Sequence, residues 1–180
     1  MSKAIWKPKD EPDFSQVNTL KTELNAPEII AKMLVQRGVD SVEKVNRYFN
    51  PRIEDLHDPF LMKDMDKAIE RIQIAQDNKE GVLIFGDYDV DGTTSVALAY
   101  SFFKDKFDRI DFYIPDRYEE GYGISIKGID YAKTNNLSLI IALDCGIRSV
   151  DKIQYAKSLG IDFIICDHHL PGNVLPAATA

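Results

Sequence analysis

From Gly81 onward, short apolar runs alternate with longer stretches of mixed polarity. The runs Val82-Leu83-Ile84-Phe85, Ile110-Asp111-Phe112-Tyr113-Ile114, Ser138-Leu139-Ile140-Ile141-Ala142-Leu143 and Asp162-Phe163-Ile164-Ile165-Cys166 have strand length and predict four β-strands. Helical stretches near Ser95 to Phe107, Ile126 to Asn135 and Ser149 to Leu159 separate them. A helix in each crossover predicts a largely parallel sheet flanked by helices, so the fold class is α/β. In such sheets ligands bind beyond the carboxyl ends of the strands, which makes the residues after each run the first place to look for chemistry.

Residues 1–62 follow a different rhythm and read as a helical N-terminal extension to a domain spanning 63–180. Asn25 is placed to cap a helix with Pro27 in its first turn, running through Ile29, Ile30, Met33 and Leu34 to a stop at Gly38. Ser41 can start a shorter helix, which Asn50-Pro51 breaks because the residue before proline is pushed out of the helical region. A longer helix is expected from Lys63 to Asn78, with Met65, Ala68, Ile69, Ile72 and Ala75 on one face. Trp6 reads as a packing anchor.

The 180 residues are 44% hydrophobic and 28% charged, the composition of a chain that folds. No apolar run approaches the ~20 residues needed to cross a bilayer, and the start lacks the apolar stretch of a secretory signal, so a cytoplasmic protein with no membrane partner is expected. The only two cysteines, Cys145 and Cys166, suit a reducing compartment and read as small apolar packing residues at strand ends, with zinc ligation as the alternative. The net charge of −7 argues against a generic basic clamp on nucleic acid. It leaves metal-bridged phosphate chemistry open. Five of the acids, Asp87, Asp89, Asp91, Asp144 and Asp167, fall directly after predicted strands.

The first such segment, Gly86-Asp87-Tyr88-Asp89-Val90-Asp91-Gly92, places three carboxylates within five residues. Their mutual repulsion is relieved by a hard divalent cation or by solvent, and both readings stand for the run alone. Asp144-Cys145-Gly146 follows the third strand, where the aspartate reads equally as a helix cap. Asp167-His168-His169 follows the fourth, and two adjacent imidazoles beside strand-end carboxylates point to nitrogen and oxygen ligands converging on one crevice. Helix N-termini after Gly92 and Gly146 can add N–H donors for an anion. Together these features describe a metal-phosphate site with two divalent ions, manganese being favoured over magnesium by the mixed ligands.

These segments closely resemble the DHH phosphoesterase family, named for the triplet Asp167-His168-His169. The acidic run, the Asp144 turn and Pro115-Asp116-Arg117-Tyr118-Glu119-Glu120-Gly121-Tyr122-Gly123 are similar to its RecJ-type branch of single-stranded-DNA-specific exonucleases. The likeness runs through Trp6 and Asn50-Pro51 and so covers essentially the whole chain. It implies 5′ to 3′ hydrolysis of single-stranded DNA to mononucleotides, dependent on Mn2+ or Mg2+, in recombination and repair. It also implies metal binding at Asp87, Asp89, Asp91, Asp144, His168 and His169, with catalysis carried by Asp89, Asp91, Asp144, His168 and His169. Asp89 and Asp91 form the central pair. Many relatives have a histidine four residues before Asp89, where this chain has Phe85.

Arg117 and Tyr122 are candidates to contact a phosphate or stack on a base; the alternative is a structured glycine turn with a surface arginine. The resemblance further implies a later metal-binding aspartate and a DNA-gripping DHHA1 domain, so the chain reads as an N-terminal fragment that binds metal weakly and turns over poorly alone. Rival readings are a haloacid-dehalogenase-like phosphatase built on Asp89-Val90-Asp91-Gly92-Thr93, a family relative acting on small nucleotides or pyrophosphate, and a non-catalytic metal- or DNA-binding fragment. The first gives the double histidine no role, and Gly86-Asp87-Tyr88 separates the strand from the acid that would be its nucleophile.

Overall fold

The computed structural model describes residues 5–180. The chain forms two compact units, Met1–Asp58 and Pro59–Ala180. The first contains α1 (Phe14–Glu23), α2 (Glu28–Val35), α3 (Val42–Phe49) and a 3-10 turn at Ile53–Asp55. Val17, Leu20, Ala31, Leu34, Val39 and Val45 form its core. Ser41 caps α3 as expected, accepting from the Lys44 N–H at 3.2 Å. Asn25 does not cap α2. It adopts φ 49°, and the bonds Asn25 N–H to Thr22 O and Ala26 N–H to Lys21 O make it the left-handed residue that closes α1, a role asparagine tolerates better than most residues. Pro27 stands at the α2 N-cap instead. Helix α1 was not anticipated, although Asp13, which accepts from Ser15 N–H at 2.7 Å, is its cap signal. Trp6 is 96% exposed, so among the described residues it does not serve as the packing anchor expected of it.

The second unit holds a 3-10 turn at Pro59–Leu61, α4 (Met65–Asp77), β1 (Gly81–Gly86), α5 (Val90–Phe103), β2 (Ile110–Tyr113), α6 (Ile126–Thr134), β3 (Leu137–Leu143), α7 (Val150–Ser158) and β4 (Asp162–Cys166). The sheet order is β2-β1-β3-β4 and every pairing is parallel. Alternation along the strands supplies two cores. Leu83, Phe85, Ile140 and Phe163 pack with Ile129 and Ala132 of α6 and Ile153 and Ala156 of α7. On the other face Val82, Ile84, Leu139 and Ile164 pack with Ala68 and Ala75 of α4 and Val96 of α5. Both faces are covered, which is why the strands read as unbroken apolar runs. Among the described residues no helix is long and apolar enough to cross a membrane.

This topology fixes where a ligand can enter. The crossover from β1 leads outward to β2, and the crossover from β3 leads the other way to β4, so the neighbours β1 and β3 flank a switch point. The crevice of a doubly wound sheet opens there, at the carboxyl ends.

At the opposite, amino end, Arg71 of α4 binds Glu80 at 2.7 Å and Asp162 at 2.7 Å, and Ser138 donates to Glu80 at 2.6 Å. One guanidinium thereby ties α4 to the starts of β1, β3 and β4. Burial pulls the Glu80 carboxyl upward, but hydrogen bonds from Arg71 and Ser138 outweigh it and the net shift is down. Arg71→Met leaves Glu80 without its cation and is expected to cost on the order of 2 kcal/mol in urea unfolding at neutral pH. Because the folded-state value lies below the ordinary 4.5, this contribution is present above that pH and fades as pH falls through the lowered value. The gap between wild type and variant should therefore close in acid; a constant gap would assign the loss to packing.

Candidate metal centre

Strand β1 ends at Gly86, and α5 begins only four residues later. Two close approaches make this possible. A Cβ on Gly92 would lie 2.3 Å from the Asp87 carbonyl oxygen, and one on Gly86 would lie 2.3 Å from Val96 Cγ2. Asp89 is the N-cap of α5 and accepts from the Gly92 N–H at 2.9 Å. The acidic run is thus the strand end and first turn of a helix that starts at Val90, earlier than the Ser95 start expected from sequence. Gly92 is inside that helix, so its N-terminus precedes Gly92. Asp89 and Asp91 are exposed, whereas Asp87 is fully buried. Its Oδ1 faces the Gly123 N–H at 3.5 Å and its Oδ2 has no partner. A buried carboxylate oxygen without a partner is costly unless a cation or proton meets it.

After β3, Asp144 adopts φ 59° and its N–H donates to Cys166 O at 2.8 Å, which turns the side chain away from the strand pairing. Its Oδ1 lies 3.0 Å from His168 Nε2. Burial first, and then the nearby Asp89 carboxylate, push the Asp144 pKa up; Asp91 adds to the effect. After β4, Asp167 carries out a task that sequence reasoning missed. Its Oδ1 accepts from the His169 N–H at 3.0 Å and contacts His169 Nδ1 at 2.7 Å, while its Oδ2 accepts from the Ile147 N–H at 2.9 Å. The side chain is only 2% exposed. Asp167 therefore orients His169 and joins the β3–α7 turn to the β4 exit; the signal was a carboxylate directly before a histidine pair. The hydrogen bond to Asp167 raises the His169 pKa.

Donor atoms of Asp144, His168 and His169 lie within 4.8 Å of one another. Asp89 and Asp91 make themselves felt at this cluster through the Asp144 carboxyl, and Asp87, buried and facing Gly123, acts with Asp144, Asp89 and Asp167 on the Tyr122 hydroxyl. Carboxylates and imidazoles gathered round a carboxyl with a raised pKa, together with an unpartnered buried carboxylate oxygen at the end of β1, form a donor set that fits a divalent cation. Asp144 and His168 have ring and carboxylate atoms aimed at each other. His169 has both ring nitrogens engaged, since its Nε2 also lies 3.1 Å from the Tyr122 hydroxyl. Phe85 stacks on Tyr113 with centroids 5.6 Å apart and belongs to the core.

Arg117 and Tyr122 reach the site through an aromatic chain. The Arg117 guanidinium lies 5.4 Å from the Tyr88 ring centre, Tyr88 meets Tyr122 edge-on at 6.2 Å, and Tyr122 meets His169 at 6.0 Å. Burial and the surrounding Asp87, Asp144, Asp89 and Asp167 push the Tyr122 hydroxyl up to about 12, so it holds its proton at neutral pH. Tyr88 was also missed, hidden among the acids that surround it. Cys145 is buried in the core, as expected, and burial raises its thiol; Cys166 is exposed and joins no core cluster.

Two substitutions separate scaffold from charge. Gly92→Ala forces the α5 start off the Asp87 backbone and should cost about 2 kcal/mol or more. Asp144→Asn removes a carboxylate whose raised pKa means that the ionised form opposes folding, a penalty that grows as pH rises through that value. Its unfolding midpoint in chelator at pH 7 should exceed that of the wild type, while manganese should no longer raise it. A lower midpoint in chelator would show that Asp144 serves the fold.

Residues 81–180 match the DHH family, N-terminal domain. The chain is 40% identical over 179 residues to the single-stranded-DNA-specific exonuclease RecJ of Bacillus subtilis, covering 99% of this chain and 23% of that protein. It is 34% identical over 155 residues to the exonuclease of the same name from Escherichia coli, covering 86% of this chain and 26% of that one. Among solved structures, an exonuclease RecJ bound to manganese superposes with a TM-score of 0.60 at 27% identity, over 66% of this chain and 30% of that one. RecJ in complex with Mn2+ from Thermus thermophilus superposes with a TM-score of 0.69 at 20% identity, over 94% of this chain and 23% of that one, and shares the fold. The chain thus spans about a quarter of the length of the curated relatives it matches. With the triplet Asp167-His168-His169 at the carboxyl end of its parallel sheet, the chain belongs to the DHH family.

Proposed function

We propose that the chain is the metal-binding part of a single-stranded-DNA-specific exonuclease of RecJ type, which hydrolyses phosphodiesters from the 5′ end in cytoplasmic DNA recombination and repair. The observation that carries this reading is the convergence of Asp144, His168 and His169 at the carboxyl ends of β3 and β4, next to the switch point of the sheet. The similarity to the Bacillus subtilis exonuclease along 99% of the chain supports it. On this reading residues 1–62 are a helical extension and residues 63–180 the phosphoesterase domain.

Asp89, Asp91, Asp144 and His168 would hold manganese or magnesium with Asp87, and His169 would join the set only where Tyr122 gives up its hold on Nε2. A bound divalent ion would supply Lewis acidity toward a phosphoryl oxygen and hydroxide at neutral pH. The chain's own groups do the positioning. Asp167 fixes the His169 ring through Nδ1, and Tyr122, protonated at neutral pH, meets Nε2, so the imidazole is held in one orientation at the mouth of the crevice. Asp89 has a second duty as the cap of α5. It is therefore unsuited to the free nucleophile of a dehalogenase-like phosphatase, since the cap holds its carboxylate against the helix.

The test is release of mononucleotides from end-labelled single-stranded DNA in manganese, comparing the chain with Asp89→Asn, which keeps the cap but not the charge. Release from the wild type, loss by at least about a hundredfold in the variant and indifference to duplex DNA are the expected results. Cleavage of pyrophosphate or dinucleotides in place of the strand would overturn the proposal in favour of a small-substrate phosphoesterase. Turnover by the chain alone is expected to be slow, and manganese binding with no hydrolysis of any of these, either by this chain or by one extended over the full length of its relatives, would overturn it in favour of a binding module.

A further inference from the structure

Five acids gather at the carboxyl end of the sheet, and a polyanionic strand approaching them needs positive charge in fixed places. Most cations at this end are already engaged. Lys127 pairs with Glu119 at 2.6 Å, Lys152 donates to the Ile124 carbonyl, and Arg117 lies over the Tyr88 ring. Arg148, in the turn between β3 and α7, differs. Its Nε donates to Leu170 O at 2.6 Å, which anchors the guanidinium to the segment just past His169. Among the described residues nothing binds its Nη1 or Nη2, and the residue is exposed.

The anchor is reinforced. Ile147 N–H donates to Asp167 Oδ2 at 2.9 Å, so the same two loops are joined at consecutive residues. The guanidinium is close enough to His169 for its charge to oppose the upward pull of Asp167 on that imidazole. A planar cation fixed at its root, with its terminal amino groups free, is suited to two-point recognition of a phosphate.

We propose that Arg148 binds, through its two terminal amino groups, a backbone phosphate of the single strand adjacent to the one at the Asp144–His168–His169 cluster. This rests on the nuclease reading and adds to it a substrate-binding residue that lies outside the acidic run, the Asp144 turn and the histidine triplet.

The test is fluorescence anisotropy of a labelled oligothymidylate of about 12 nucleotides in calcium, titrated with wild type, Arg148→Lys and Arg148→Gln. Manganese binding is followed separately by electron paramagnetic resonance. Arg148→Gln should bind about tenfold more weakly, Arg148→Lys should fall between, and the slope of log affinity against log salt should shrink by about 0.7 in Arg148→Gln. Replacing phosphates one at a time by methylphosphonate should reveal one linkage that matters to the wild type and not to Arg148→Gln. Unchanged affinity and slope in Arg148→Gln would overturn the proposal while leaving the nuclease reading intact. A loss spread over every linkage, with weakened manganese binding, would also overturn it by showing that Arg148 only braces the Leu170 segment. Failure of the wild type to bind the oligonucleotide would overturn both.

Discussion

A side chain at Gly92 would put its Cβ 2.3 Å from the Asp87 carbonyl oxygen, and this steric constraint sets where α5 starts. Because the helix begins flush against the strand end, Asp87 is sealed underneath while Asp89 and Asp91 ride on the first turn. Asp87 Oδ2 is buried there without a partner among the described residues. Across the switch point, Asp144 accepts a left-handed backbone, a conformation that costs a non-glycine residue roughly 1 kcal/mol or more, and thereby faces His168. Both features spend folding energy on the placement of oxygen atoms. Sites that act on charged ligands commonly show this exchange.

The four strands were legible to within about a residue because parallel strands covered on both faces must be apolar throughout, and Gly, Asn or Asp punctuates them. Their order was not legible, since β2-β1-β3-β4 depends on crossovers that local periodicity does not encode. The early start of α5 was obscured by an acidic run that reads as a loop until the cap at Asp89 and the close approach at Gly92 are seen together. Asn25 misled for a related reason, because the residue types that cap a helix start also close a helix end, and only its positive φ distinguishes the two.

At the site, Asp144 and the histidine pair stood out as chemistry-bearing residues at strand ends. The groups that orient them did not, because orientation depends on partners distant in the chain. Asp167 reaches back to Ile147, and Tyr122 reaches forward to His169, contacts that no spacing rule links. Tyr88 and Arg148 were passed over for the same reason. The electrostatic picture follows from burial and then crowding. Desolvation first, and the carboxylates drawn together at one end second, raise Asp144, Tyr122 and the Cys145 thiol alike. At the amino end hydrogen bonds from a guanidinium and Ser138 outweigh burial and hold Glu80 low.

The two ends of the sheet also differ in how the chain enters and leaves them. Lys79, Asn136 and Gly160 take left-handed backbone angles within two residues of the starts of β1, β3 and β4, so each strand is launched by a tight reversal with no slack. At the other end the chain wanders from Ile114 to Ser125 after β2 and from Asp144 to Ser149 after β3 before re-entering a helix. Insertions and deletions in related genes should therefore collect on the carboxyl side, where length can drift and reshape what the crevice admits. Before β1, β3 and β4 the spacing between helix and strand works as a fixed gauge that tolerates change in composition but not in length.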